Sequence, residues 1–281
     1  MTDPLSLWKA VILGIVEGVT EFLPVSSTGH LLIAERLLGV GQSEQSRIAA
    51  DSYIVAIQLG AILAVLGIYR ERFVTMIDGV RGRSEGGRNV LIALIVAFLP
   101  AAIIGFVAGD AIKEYLLEPW PVAGAFFVGG VAILIVGRLG WSHPERVRFE
   151  SVTDITPPVA LVIGVTQALA LWPGTSRSLV TILAALAIGV SLRAAVEFAF
   201  LLGFVTLGAA SAYELFKNGS TIIDTFGWFT PLVGAVVAGV SAWISVKAMI
   251  SWLENRSLDV FGYYRIGAAG VVAVLVLTNV I

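Results

Sequence analysis

Residues Gly14–Leu31 read GIVEGVTEFLPVSSTGHL. Glu17 and Glu21, the hydroxyl residues Ser26, Ser27 and Thr28, and His30 interrupt an otherwise apolar run that is broken by Pro24 and Gly29. The chain around this stretch has shed its charge. Of 281 residues 57% are hydrophobic and 14% charged, with mean hydropathy +0.91, where an average soluble domain is about 25% charged. The medium implied is a bilayer. A net charge of -2 offers nothing to nucleic acid, and the absence of cysteine excludes disulfides, thiolate chemistry and Cys-based metal sites. Met1–Leu5 lacks a basic n-region and the first apolar run contains two glutamates, so the start reads as part of an uncleaved multi-pass protein.

Outward from this stretch, the hydropathy predicts an all-α polytopic membrane protein, one integral membrane domain over 1–281. Six segments are long enough to span: Ser52–Tyr69, Val90–Ala108, Pro121–Gly137, Ala195–Leu215, Phe229–Ile250 and Gly262–Ile281. Two further apolar stretches, Leu5–Gly39 and Pro157–Val190, are split by LPVSSTG (Leu23–Gly29) and WPGTSRS (Trp172–Ser178). Their halves are short for a span and suit re-entrant helical hairpins, whose broken backbone survives at membrane depth only where protein or water shields it.

Charge orients the chain. Arg70, Arg72, Arg81, Arg83 and Arg88 place the Tyr69–Arg88 loop in the cytoplasm, together with the Arg138–Thr156 loop (Arg138, Arg146, Arg148) and the Ser251–Phe261 turn. The Gly109–Trp120 loop, with Asp110, Glu114 and Glu118 against Lys113, falls outside, as do both termini. The first hairpin then dips from outside and the second from inside. A hairpin followed by three spans occurs twice, over about 5–140 and about 157–281. GIVEGVTEFLPVSS (Gly14–Ser27) aligns with GVTQALALWPGTS (Gly164–Ser176) after a one-residue gap, placing Glu17 opposite Gln167 and Pro24 opposite Pro173. Three spans per unit invert the second copy, an arrangement that builds sites where discontinuous helices meet near the midplane.

Glu17 and Glu21 share a helix face. Each ionised carboxylate facing lipid costs about 2.5–3.5 kcal/mol on insertion scales, so the pair belongs in a protein-lined or wet cavity. A divalent cation, Mg²⁺ or Ca²⁺, relieves their repulsion and prefers oxygen ligands, which makes both glutamates candidate metal ligands. The alternative is one protonated glutamate that merely ties the hairpin. Ser26, Ser27 and Thr28 read either as helix caps or as an anion-binding and nucleophilic turn, with His30 as a base. In the second break Arg177 stands as the one permanent cation embedded in an apolar segment; a first-tip glutamate or a substrate phosphate would pair with it. Gly174 permits close approach of a ligand, and Thr175, Ser176, Ser178 and Thr181 add polar groups. Gln167 is either a further donor or a structural amide. Acidic pair, metal, arginine and bilayer together suggest a lipid diphosphate.

EGVTEFLPVSSTGH and PGTSRSLVT closely resemble the two signature motifs of the undecaprenyl-diphosphate phosphatase (bacitracin-resistance) family. DSYIVAIQLGAILAV (Asp51–Val65), LPAAIIG (Leu99–Gly105) and YYRIGAAG (Tyr263–Gly270) extend the likeness over nearly the whole chain. The resemblance implies hydrolysis of undecaprenyl diphosphate to the monophosphate, which recycles the lipid carrier for the cell envelope. It also implies an extracytoplasmic site in the inner membrane, dependence on a divalent metal, and six spans with two re-entrant hairpins in inverted repeat. Glu17, Glu21, Ser27 and His30 match the first motif, and Ser176, Arg177 and Thr181 the second. Leu179 stands where that motif commonly has glycine. Ala199 and Val205 also depart from the family pattern.

The expected mechanism has Glu17 and Glu21 holding the cation, Arg177 and hairpin N–H groups neutralising the diphosphate, and Ser27 attacking with His30 as base. His30 or a metal-bound water as nucleophile stays open. The expected partners are the polyprenyl diphosphate and membrane lipid, with a homodimer compatible and no nucleic acid. A transporter or flippase would use the same repeat without hydrolysis. A phosphatase of the unrelated lipid-phosphatase superfamily would need a second catalytic histidine, and the chain has only His143, beside Pro144 in a loop.

Overall fold

The computed structural model describes residues 5–41, 44–253 and 256–281, without the side chains of 44–48, 110 and 113. Met1–Pro4 and the charges of Asp110 and Lys113, which bear on the expected start and orientation of the chain, lie outside the described residues. The chain is all-α: α1 (Leu7–Thr20), α2 (Ser27–Leu38), α3 (Glu44–Ile68), α4 (Arg70–Val80), α5 (Glu85–Leu116), α6 (Pro119–Arg138), α7 (Pro157–Gln167), α8 (Arg177–Ile188), α9 (Leu192–Phe226), α10 (Phe229–Leu253) and α11 (Asp259–Leu277). Among the described residues, six helices are long and apolar enough to cross a membrane: α3, α5, α6, α9, α10 and α11. This is a multi-pass membrane protein. The six expected spans fall on these helices, though α5 and α9 overrun them at 32 and 35 residues.

The Tyr69–Arg88 segment, expected as a loop, is largely helical. Its arginines hide an amphipathic pattern: Met76 and Gly79 of α4 are buried against α5, and a Cβ on Gly79 would come within 2.7 Å of the Gly87 carbonyl carbon. The Arg138–Thr156 loop is likewise pinned. Arg148 and Phe149 donate backbone N–H groups to Gly189 O, and Ser191 N returns one to Phe149 O.

Both broken stretches form two short helices joined by a turn, α1–α2 and α7–α8. Their landmarks recur at an offset of 150 residues. Leu7 and Pro157 begin the first helices, Ser27 and Arg177 the second ones. Gly39 and Gly189 end them in the left-handed conformation that glycine tolerates. There Val40 N donates to Glu35 O and Val190 N to Ala185 O, the same helix-ending pattern in both. This register needs no gap: Pro24 stands opposite Gly174, not Pro173. Matching proline to proline forces the one-residue gap, whereas the helix starts and the closing glycines match without one; the first helices end differently, α1 at Thr20 and α7 at Gln167.

Small residues let these short helices settle on long ones. Gly14 and Gly18 of α1 face α10, where a Cβ would lie 2.6 Å from Gly234 O and 2.7 Å from Ala242 N respectively. The equivalent Gly164 puts α7 on α5, with a Cβ 2.7 Å from Ala97 Cα. The hairpin helix of the first half thus rests on a long helix of the second half, and the reverse. Close backbone approach of this kind supplies dispersion contacts that lipid tails do not outcompete. Gly18→Val is expected to cost about 1–3 kcal/mol by overpacking, read as a lowered detergent melting temperature. Gly208→Ala, with nothing within 4 Å of its Cβ, should leave that temperature unchanged.

Candidate active site

The two turns meet. After α1 the chain stays helical through Glu21, whose N–H donates to Glu17 O at 2.9 Å, so both carboxylates do share a face. It then turns through Leu23–Val25 to Ser26, held at φ 76°. The second turn arrives at Ser176 with φ 75°. Non-glycine residues in this region carry about 1–3 kcal/mol of strain and persist only where the surroundings fix them. Both strained serines stand immediately before a helix start, Ser26 before α2 and Ser176 before α8.

What fixes them is a set of bonds between the tips. Ser178 Oγ donates to Leu23 O (3.0 Å) and pairs with Ser176 Oγ (3.1 Å), which also accepts from Leu179 N. Arg265 of α11, fully buried, donates to Pro24 O (3.3 Å) of one tip, Gly174 O (2.8 Å) of the other and Ala125 O (2.8 Å) of α6. Its guanidinium lies over Phe126, with Cζ 5.4 Å from the ring centroid. Arg177 is therefore not the one embedded cation. The signal for Arg265 is present in YYRIGAAG, but an arginine near the start of a span reads as one that reaches back to the interface.

Arg177 sits across the tip boundary. Its NH2 donates to Glu21 Oε1 at 3.1 Å and its NH1 to Ala199 O at 2.8 Å, with Phe22 beneath at 5.8 Å. Gly203 leaves it room: a Cβ there would stand 2.5 Å from the guanidinium carbon. The Ala199 departure is harmless to this contact, since residue 199 contributes its carbonyl. Leu179 is buried in the core, and Val205 packs against it. Glu21 Oε2 accepts the Ser27 hydroxyl, so Glu21 joins Ser27 to Arg177.

His30 does not meet Ser27. Its Nδ1 is 2.7 Å from Ser26 O and its Nε2 is 2.7 Å from Tyr264 Oη, a partner 234 residues away. Thr181 Oγ1 donates back to Arg177 O, Thr28 is exposed on the first turn of α2, and Thr175 is half-buried with its N–H on Trp172 O. Gly174, at φ 93°, packs on α6 3.0 Å from Val122 O at its would-be Cβ.

Glu17 and Gln167 hold equivalent places in the two halves and are both buried. Neither Glu17 oxygen, nor Gln167 Oε1, has a hydrogen-bond partner among the described residues. A buried carboxylate without donors is costly unless a proton or a cation neutralises it, and the free Glu17 oxygens are compatible with a divalent ion. No cluster of three or more His, Cys, Asp or Glu residues is present among the described residues. Two carboxylates with the remaining positions left to water and phosphate match the habit of Mg²⁺. The Ser26 side chain does not cap α2, unlike Ser176 on α8, so the first N–H groups of α2 remain available to an anion. Arg265→Ala strands the carbonyls of Pro24 and Gly174, each costing about 1–3 kcal/mol, since Ala125 O keeps its bond within α6. A strong fall in melting temperature, or no folded protein, is expected. Arg36→Ala, which breaks only the exposed pair with Glu118, should cost less than about 1 kcal/mol.

The family model described as "Bacitracin resistance protein BacA" matches residues 10–272, which includes both tips and Arg265. The chain is 46% identical over 264 residues to "Undecaprenyl-diphosphatase 2" of Rhodospirillum rubrum, covering 94% of this chain and 93% of that one. It is 44% identical to "Undecaprenyl-diphosphatase" of Nitrosomonas europaea, over 94% and 93% of the two chains. The protein of the same name from Sorangium cellulosum is 43% identical, over 94% and 85%. A match that runs through both tips and nearly every helix places this chain in the BacA bacitracin resistance protein family.

Proposed function

We propose that this protein hydrolyses undecaprenyl diphosphate to undecaprenyl phosphate and inorganic phosphate at the outer face of the bacterial cytoplasmic membrane. This would recycle the carrier lipid for wall synthesis and confer resistance to bacitracin. The observation that carries the reading is the continuous chain Ser27–Glu21–Arg177: a hydroxyl, a carboxylate that accepts its hydrogen bond, and a cation supplied by the other tip. The names of the relatives supply the substrate. In this reading α1–α2 and α7–α8 are re-entrant hairpins of opposite direction. The 150-residue recurrence of their landmarks supports the repeat, and the arginines of α4 and the loop after it support its orientation.

The diphosphate settles on the uncapped N–H groups of α2 and on Arg177, which turns from Glu21 to the phosphate oxygens. Ser27 Oγ attacks the terminal phosphorus, and its proton passes to Glu21. The anhydride P–O bond breaks, its electrons staying with the departing undecaprenyl phosphate. Glu21 passes that proton to the departing monophosphate and, a carboxylate again, takes one from the water that attacks the phosphoserine, returning it to Ser27 Oγ as phosphate leaves. Base duty therefore falls to Glu21 rather than to His30. A divalent cation, Mg²⁺ or Ca²⁺, held by Glu17 and Glu21, would neutralise diphosphate charge when bound.

Phosphate release from undecaprenyl diphosphate in detergent, with and without EDTA, tests this. Glu21→Ala, Ser27→Ala and Arg177→Ala are each expected to lose at least about 100-fold in kcat/KM, chelation to abolish turnover, and exposed His143→Ala to change nothing. A wild-type protein that releases no phosphate yet moves the lipid across proteoliposomes would favour the transport reading that the same repeat allows.

A further inference from the structure

The proposed mechanism leaves His30 without a task, yet few side chains in the protein are held more tightly. Its Nδ1 faces Ser26 O at 2.7 Å. A carbonyl oxygen carries no hydrogen, so Nδ1 must; the other tautomer would set two lone pairs against each other. In the neutral ring Nε2 then has the lone pair, and the Tyr264 hydroxyl, 2.7 Å away, is its donor. Two aromatic rings lie beside the half-buried imidazole. Tyr264 stacks nearly parallel at 13° with centroids 5.7 Å apart, and Phe126 lies at 5.1 Å. Gly29, the residue before, admits Phe126 to this place, since a Cβ there would meet the Phe126 ring edge at 2.5 Å.

Tyr264 is seated by its neighbour in sequence. Arg265 is locked into both tips and α6, so the α11 backbone at residue 264 is fixed relative to the tip that carries His30. Tyr263, one residue earlier, is exposed, and its hydroxyl has no protein partner among the described residues. The Tyr264 phenol is therefore not simply one of the tyrosines that membrane interfaces collect.

We propose that Tyr264 is a positioning residue for His30: its hydroxyl fixes the imidazole in the Nδ1–H tautomer and holds Nε2 beside the first tip, where the phosphate end of the substrate binds. The proposal rests on the diphosphatase reading. The phenol suits the task because it both donates and accepts. It donates to neutral His30. When a proton from water reaches the phenol oxygen, the phenol passes its own hydrogen to Nε2, accepts the new Nε2–H bond, and turns the hydrogen it has gained toward a phosphate oxygen or water. One proton enters and one is presented, with no movement of either ring.

The test combines kinetics with nitrogen NMR. The protein has two histidines, so ¹⁵N-histidine labelling in a His143→Gln background leaves His30 as the reporter. The unmodified site should show the Nδ1–H tautomer with a hydrogen-bonded Nε2. Tyr264→Phe keeps the stacked ring and removes the hydroxyl. It is expected to mix the tautomers and to lower kcat about tenfold, with KM for undecaprenyl diphosphate within about twofold. A wild-type kcat in Tyr264→Phe overturns the proposal. So does a lowered kcat with an unchanged His30 spectrum, or an Nε2–H tautomer in the parent protein. A parent protein that hydrolyses nothing removes the diphosphatase reading instead, and the spectrum still decides whether Tyr264 holds His30.

Discussion

One guanidinium holds the two halves of the site in register. Arg265 reaches from α11 to a carbonyl on each tip and a third on α6. A tip that leaves its helix exposes carbonyls it can no longer satisfy internally, and each exposed group is expensive in a dry interior. A planar group with five donors in a fixed fork spans acceptors on separate elements, where a lysine would gather them around a single nitrogen. The strained serines, the Ser178–Leu23 bond and the reach of Arg177 to Glu21 all presuppose the separation that Arg265 sets.

Given that separation, the two tips contribute unlike chemistry from like backbones. Ser26 and Ser176 share a conformation, but the next residue differs: Ser27 on one side, Arg177 on the other. One helix–turn–helix carries a serine and carboxylates, and the other a cation. Neither hairpin alone holds a site.

Much of this was legible in the sequence, for physical reasons. Hydropathy marks spans because a bilayer has a fixed thickness, so α3, α5, α6, α9, α10 and α11 stood out. Pro24 and Pro173 betrayed the breaks, and carboxylates too costly for lipid pointed to the tip. The hidden features depend on partners distant in sequence. Arg265 looks interfacial because its three acceptors are backbone atoms, which a sequence does not display. Tyr264 looks like an ordinary interfacial aromatic, since its partner is 234 residues away. Spacing alone pairs His30 with Ser27, whereas Glu21 takes the hydroxyl and leaves the imidazole to Ser26 O and Tyr264. Helix α4 is hidden by its own arginines.

The fate of the transferred phosphate tests the serine route most directly. Turnover of undecaprenyl diphosphate labelled in its terminal phosphate should be quenched early and the label mapped by peptide. It is predicted on Ser27, and absent from both Ser27→Ala and Arg177→Ala. Label on His30, or an unlabelled protein whose Ser27→Ala form still releases phosphate, would contradict it.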